Sequence, residues 1–500
     1  MYKNTNAQMV PQTSSYEEAI FALNGLQSNA AVIAKMREEK KKDGQKALDR
    51  VRCQVGLLGI TQEDLESLKV IHVAGTKGKG STCAFTESIL RAHGYTTGFF
   101  SSPHLVVVRE RIRINGKPIS KEKFTHYFWK VYNKLKSNED ISPMPGYFVF
   151  LNLMSLYTFL HEKVDATILE VGIGGQYDST NIVDKPVVTG ISSLGIDHTA
   201  ILGYTIKEIA WHKAGIFKQN VPAFTVTQPE GAMSILQNRA YEINCPLYLT
   251  LPLETYEWEN NCNGLGVDGS VQSINASLAI HLARTWLNKQ TGNNNLNTSF
   301  KYNSEYIILN KIPPPHAPLF TITNKYAQGL ANCQWPGRCQ TIERGQILYC
   351  LDGAHTEESI INCADWFTTT AAAYPDRARV LLFNCTGDRP ADILLAHLLN
   401  LKFTTALFSP NYIAQTLLPT SDQTNYTTEM DRELSISTSN LHIWNHYVSQ
   451  GEIPCQTHSF PCLQAAHDFI ATLPPSVVLV TGSIRLVGAL LSIMYPDSST

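Results

Sequence analysis

The run Val70-Ile71-His72-Val73-Ala74-Gly75-Thr76-Lys77-Gly78-Lys79-Gly80-Ser81-Thr82 has the residue types and order of a phosphate cradle. An apolar stretch suited to a buried strand ends at Gly75, and Cys83, Phe85, Ile89 and Leu90 then recur at helical spacing until Gly94. The turn therefore opens a helix, where unpaired backbone N–H groups and the positive end of the dipole favour an anion. Gly75, Gly78 and Gly80 let the backbone approach phosphate oxygens, Lys79 offers a point charge to the terminal phosphates, and Ser81 or Thr82 offers a hydroxyl near a metal. Gly80, between Lys79 and Ser81, departs from the common G-x-x-x-x-G-K-[ST] order. A glycine-rich turn can also do no more than pack a helix on a strand; with its lysine and setting, this one reads as nucleotide binding.

Four further segments follow apolar strands, the place where open α/β sheets bind ligands. Leu169-Glu170-Val171-Gly172-Ile173-Gly174-Gly175 closes a strand with an acid, either a ligand for the Mg²⁺ that accompanies ATP or a helix cap or arginine partner. In Ile196-Asp197-His198-Thr199 the imidazole can bind a metal that Asp197 helps to orient, or the pair forms an ordinary turn. Phe100-Ser101-Ser102-Pro103-His104-Leu105 precedes Arg109-Glu110-Arg111-Ile112-Arg113-Ile114. Extended backbone there would align Arg109, Arg111 and Arg113, as a strip for substrate carboxylates or as a solvated edge. Leu351-Asp352-Gly353-Ala354-His355, with Arg338 upstream and Gly387-Asp388-Arg389 downstream, offers an acid, an imidazole and two guanidinium groups to a cleft, or else local salt bridges and caps.

Positioning these groups requires alternating strands and helices. Strands are expected at Thr97–Phe100, Ala166–Val171, Val187–Ile191 and Val221–Val226, and later at Ile347–Leu351, Val380–Phe383, Ala406–Phe408 and Val477–Val480. Helices are expected at Lys121–Lys136, Tyr147–His161 and Ile206–Ala214, and over Tyr16 to about Leu58, where Arg37–Lys42 reads as a solvated face. Asn288–Asn303 has the composition of a surface insertion, and Thr416–Asn440 that of a long loop. Repeated βα units imply parallel sheets covered by helices. The expectation is an α/β protein, with a P-loop parallel-sheet ATPase domain over 1–334 and a smaller Rossmann-like α/β domain over 335–500.

A 500-residue chain is long enough for two substantial cores. Its net charge of −2 gives no general attraction to nucleic acid or anionic lipid. Eleven cysteines without a Cys-x-x-Cys pair fit reduced thiols. No apolar run approaches the ~20 residues that span a bilayer, and Met1–Ser15 has neither a secretory nor an organelle-targeting pattern. A cytosolic protein without a membrane span is expected, with a mitochondrial form from an alternative start left open.

Taken in order, His72–Thr82, Gly98–Asn115, Leu169–Asn181, Val187–Thr199, Ala210–Lys218, Trp335–Arg338 and Leu351–His355 resemble the folylpolyglutamate synthases of the eukaryotic type, within the larger group of Mur-like amide-forming ligases. The resemblance covers about Tyr16 to Gly488. It implies that ATP, a reduced folate and L-glutamate give a folate longer by one γ-linked glutamyl unit, retaining folates for one-carbon metabolism. It further implies a phosphate cradle of Gly75, Thr76, Lys77, Gly78, Lys79, Gly80 and Ser81, nucleotide contacts at Asn275, Arg338, Asp352 and His355, and magnesium ligands at Ser102, Glu170 and His198. Lys79, Lys213, His198, Asp352 and His355 carry over as catalytic groups, the Ser101-Ser102-Pro103-His104 turn as a folate-contacting loop, and Arg389 as a residue of glutamate use. Related ligases carbamylate a lysine at the position of Lys213. A monovalent cation such as K⁺ is a further cofactor the resemblance allows, and a monomer with only small-molecule partners is its implied state. Ala74, where related enzymes often have Thr, and Pro390, where an acid often follows the Gly-Asp-Arg triplet, depart from the family pattern. Dihydrofolate synthase uses the same chemistry on a pteroate, and a non-catalytic nucleotide-binding regulator is the alternative from a different class.

Overall fold

The computed structural model describes residues 15–27, 30–260, 264–292, 313–385, 389–414, 421–423, 430–452 and 454–495. Among them, fourteen strands form two sheets. The first holds β1 (Val70–Ala74), β2 (Thr97–Phe100), β3 (Ile112–Ile114), β4 (Lys117–Pro118), β5 (Ala166–Glu170), β6 (Val188–Ile191), β7 (Ala223–Thr225) and β8 (Leu247–Leu249), in the order β4-β3-β2-β5-β1-β6-β7-β8. All neighbours from β2 to β8 run parallel, while β3 and β4 add an antiparallel edge. The second holds β9 (Gln340–Arg344), β10 (Ile347–Leu351), β11 (Ala378–Phe383), β12 (Thr405–Phe408), β13 (Gln456–Ser459) and β14 (Ser476–Thr481), in the order β13-β12-β11-β14-β10-β9. Only β9 is antiparallel there.

The central strands are mostly apolar because both of their faces are covered, with His72, Thr167 and Thr189 as buried exceptions. Along β1, Val70 packs into one cluster with the Lys121–Lys136 and Tyr147–His161 helices, whereas Ile71 and Val73 pack into another with the Lys79–Ala92, Gln272–Thr291 and Asn324–Ala331 helices. In the second sheet Leu381 and Leu479 face one apolar cluster, and Leu382 and Val480 the other. Among the described residues no helix is long and apolar enough to cross a membrane.

Three expectations require correction or restriction. Residues Val108–Arg111 form a 3₁₀ turn and only Ile112–Ile114 is extended, so the three arginines do not share one face. Arg109 is buried and donates to the Ile119 carbonyl (2.6 Å), and Arg113 donates to the carbonyls of Glu110 (3.1 Å) and Gly116 (3.2 Å), so neither belongs to a solvated edge. The loop expected over Thr416–Asn440 is helical from Met430, in a helix that runs to Gln450; 415–420 and 424–429 lie outside the described residues. Its buried face carries Glu433, Ser437 and Asn440, which hides the apolar periodicity; the backbone N–H of Asn411 bonds Glu433 (3.0 Å) and Asn440 bonds Asn384 (3.1 Å). Of the expected insertion, Asn288–Thr291 closes the Gln272–Thr291 helix, and 293–303 lies outside the described residues.

Three interior imidazoles carry a stability consequence. Burial holds His72, His104 and His281 at about 3, far below the ordinary value near 6.5. As pH falls below 6.5 the unfolded chain takes up protons that the folded chain refuses until about pH 3, so stability present above 6.5 is lost progressively across that window. Each group is expected to cost about 2 kcal/mol at pH 5. Urea unfolding at pH 7.5 and pH 5 checks this, and equal midpoints would contradict it.

Candidate functional site

The C-terminal ends of β1, β2, β5 and β6 release their loops on one side of the first sheet, and those of β10 and β14 do so in the second. Loops of both sheets line one cavity of about 570 Å³. Parallel strands bring their loops together in this way whatever the sequence distance between them.

The phosphate turn is held from three sides. Gly78 is the N-cap of the Lys79–Ala92 helix with φ +81°, and no side chain caps that end. A Cβ on Gly78 would overlap the carboxamide of Asn275, which is itself steadied by donation to Gln272 Oε1 (2.9 Å). The Ser193 carbonyl accepts from the backbone N–H groups of Thr76 (2.9 Å) and Lys77 (3.0 Å), and the Thr76 hydroxyl donates to the Gly195 carbonyl (3.1 Å). The Gly75 carbonyl receives two lysine amino groups, Lys79 Nζ at 3.1 Å and Lys213 Nζ at 2.6 Å. Burial, with the charge of Lys79, holds Lys213 well below the ordinary lysine range. The Lys79 charge and the uncapped N–H groups of this helix N-terminus suit a polyanion.

Glu170 ends β5 buried, and its Oε2 accepts from the Ser102 backbone N–H (3.0 Å). Burial pushes its carboxyl up against the pull of Lys79, Arg338 and Arg111. His198, with φ +52°, caps the Thr199–Leu202 turn and lines the same cavity. Burial lowers its pKa, with the charges of Lys79 and Lys213 adding to the effect. Lys77 crosses between the two sheets' loops: its Nζ lies 3.4 Å from Asp197 and 3.3 Å from His355 Nε2. Burial brings Lys77 down to about 8, and against the push of burial the Lys77 charge draws Asp197 down to about 2. His355 Nδ1 donates to the Gly353 carbonyl (2.9 Å), which leaves Nε2 as the acceptor for Lys77; burial keeps the ring neutral, at about 3.

Asp352 lines the cavity as a clamp for the backbone. One oxygen accepts from Cys339 N–H (2.9 Å) and the other from Ala354 N–H (2.9 Å), which ties the Arg338 turn to the end of β10. Burial pushes its carboxyl up, opposed by Arg338. Trp335 stacks on Phe99 (5.4 Å, 30°) and carries Arg113 over its ring (5.2 Å). On the β2 side, Ser101 N–H bonds the Arg111 carbonyl (3.1 Å), and Arg111 Nε donates to His104 Nδ1 (2.9 Å).

No protein-family model matches the chain. A curated relative, the mitochondrial folylpolyglutamate synthase of Homo sapiens, is 42% identical over 563 aligned residues, covering 99% of this chain and 95% of its own. The chain belongs to the folylpolyglutamate synthase family. The fold of this family member agrees with solved structures of low identity. E. coli FolC in complex with DHPP and ADP matches at 24% identity and TM-score 0.67 over 98% of this chain and 100% of its own. Mycobacterium tuberculosis folylpolyglutamate synthase complexed with ADP matches at 21% and 0.69 over 95% and 98%.

In this folylpolyglutamate synthase family chain, Thr76 to Ser81, Ser101 to Pro103, Glu170, His198, Asn275, Arg338, Asp352 and His355 all line the one cavity. Gly75 and Lys213 lie behind it through their shared contact, and His104 lies behind Arg111. Arg389 does not line it, although its charge is felt at Lys77 and His355; Gly387 and Asp388 lie outside the described residues. Asp178, which no sequence motif singles out, also lines the cavity. It takes Ile173 N–H (3.1 Å) and the Thr180 hydroxyl (2.7 Å), and Thr180 in turn accepts from His72 Nε2 (2.8 Å), so it shapes the glycine turn after Glu170. An acid just before a Ser-Thr pair was its only local signal.

Proposed function

We propose that this chain is an ATP-dependent ligase that adds L-glutamate by γ-linkage to tetrahydrofolate and its polyglutamates. The observation that carries the reading is Lys79, folded back on the Gly75 carbonyl at a helix N-terminus, in one cavity with a buried Glu170 and walled by loops of both sheets. A carboxylate is a poor electrophile, so its oxygen first takes the γ-phosphoryl group of ATP, releasing ADP; the glutamate amine then attacks the acyl carbon, expels phosphate and loses a proton. Lys79 offsets charge on the migrating phosphoryl group. Asn275 and the Asp352-clamped Arg338 orient the nucleotide, while neutral His355 aims Lys77. Arg389 supplies charge for the incoming glutamate. Enclosure between the domains, assigned as 1–334 and 335–500, keeps water from the acyl phosphate.

Magnesium fits Glu170. Its carboxyl is buried among Lys79, Arg338 and Arg111 and is still pushed up by desolvation, and hard oxygen donors suit this ion. Ser102, Glu170 and His198 would hold it, and when bound it neutralises phosphate charge. Lys213, held well below its usual range by burial, is suited to take up CO₂ as a carbamate. Under ¹³C-bicarbonate a carbamate carbon signal is expected in the wild type and none in Lys213→Arg; identical spectra would remove the carbamate. We further assign a monomer acting in the cytosol, with a mitochondrial form from an alternative start, the address in the human relative's name.

The test is incubation with ATP, tetrahydrofolate and glutamate followed by mass spectrometry of the folates. A ladder spaced by glutamyl units is expected. Product from dihydropteroate alone would make the chain a dihydrofolate synthase. ATP hydrolysis indifferent to acceptor and glutamate would make it a nucleotide-binding regulator.

A further inference from the structure

Residues Ser421-Asp422-Gln423 lie in the chain between β12 and the Met430–Gln450 helix, both parts of the second sheet's layer, yet their bonds run to the first domain. Asp422 Oδ1 accepts from the Tyr16 hydroxyl (2.7 Å) and from Val108 N–H (2.7 Å). Its carbonyl accepts from His104 Nε2 (3.1 Å). Gln423 Nε2 donates to two successive carbonyls, Leu105 (2.7 Å) and Val106 (2.6 Å), and Asn24 donates to the Ser421 carbonyl (3.1 Å).

The loop they grip has no ladder of its own. Glu110 accepts from the N–H groups of Leu105, Val106 and Val107 (2.9, 2.8 and 2.9 Å), so side chains replace the missing ladder. The opposite flank is also held by the second domain. Leu105 is buried in the cluster that includes Leu486 and Val487, and a Cβ on Gly488 would overlap the Leu105 carbonyl. The grip reaches the cavity at Leu105, which lines it, and through the His104 imidazole. Because the Asp422 carbonyl can only accept, it places the His104 proton on Nε2 and leaves Nδ1 free to receive Arg111 Nε, and Arg111 lines the cavity over the Tyr147 ring (5.5 Å).

We propose that Asp422 and Gln423 are positioning residues for the acceptor, a strap from the second domain that sets the Pro103–Val108 loop and, through His104, aims the Arg111 guanidinium at a carboxylate of the folate substrate. This rests on the proposed ligase reading. The strap touches the acceptor loop and none of the groups assigned to the triphosphate, so it separates the two substrates. A rigid support lost from a binding loop is felt where that loop binds.

The test uses Asp422→Ala and Gln423→Leu in the full chain. In each, the KM for tetrahydrofolate is expected to rise about tenfold with kcat within about twofold and the ATP KM unchanged. Hydrogen exchange at the Val108 amide of the unliganded protein is expected to quicken at least tenfold in Asp422→Ala. If Asp422→Ala does not fold, Gln423→Leu carries the same kinetic expectation and Tyr16→Phe the exchange measurement. Acceptor and ATP KM rising together, neither moving, or unchanged exchange at Val108 would each overturn the strap. Failure of the ligase reading is read separately, as a wild type that lengthens no folate, while the exchange result stands without any substrate.

Discussion

Lys79→Ala is expected to lower folate ligation by about 10³-fold or more while the protein stays folded. The side chain reaches back over the turn to the Gly75 carbonyl and supports no apolar cluster, so its removal leaves the Lys79–Ala92 helix packed as before. It also removes the charge that bears most directly on Lys213, whose amino group shares that carbonyl, and this offsets the lost attraction to Glu170, so stability is expected to change little. Loss of rate with retained stability is the mark of a group kept for transition-state charge rather than for folding. Steady-state ligation with tetrahydrofolate, alongside thermal unfolding by circular dichroism, measures both. A variant within tenfold of the wild type would remove Lys79 from the phosphoryl-transfer role.

The second large effect is expected from Glu170→Gln, an isosteric change that removes one negative charge from a buried position. The amide oxygen can still accept from Ser102 N–H, so the turn after β2 stays in place. Since burial already pushes this carboxyl up, the neutral amide is expected to cost no stability. Ligation is expected to fall about 10²- to 10³-fold, with the magnesium concentration needed for half-maximal rate shifted upward. An unchanged magnesium titration at wild-type rate would detach Glu170 from the metal.

Much of the architecture was legible because strands buried on both faces are mostly apolar. β1, β2 and β10, and the Lys121–Lys136, Tyr147–His161 and Ile206–Ala214 helices, carry that signal in their own residues. Edge strands do not. β9 and β13 are half exposed and rich in Gln, Thr and Ser, and they left no apolar run to read. The Met430–Gln450 helix was obscured for a different reason, since its buried positions Glu433, Ser437 and Asn440 are polar, with Glu433 and Asn440 partnered inside. Arg109 and Arg113 resembled a charged strip because sequence counts charges but not the carbonyls that receive them.

The candidate site divides along the same line. The sequence by itself determined the chemistry available: a glycine turn with lysines, an acid closing β5, an Asp-His turn after β6 and an Asp-Gly-Ala-His turn after β10, each a local pattern set by residues a few positions apart. Only the tertiary structure decided what those groups do to one another. It placed Lys213 and Lys79 on one carbonyl, turned Asp352 onto the backbone of the Arg338 turn, joined Lys77 to His355, and brought Asp422 to Tyr16 and Val108. The physical reason is that charge, desolvation and hydrogen bonding act over a few ångströms of space, and parallel sheets bring into that range residues hundreds of positions apart in the chain.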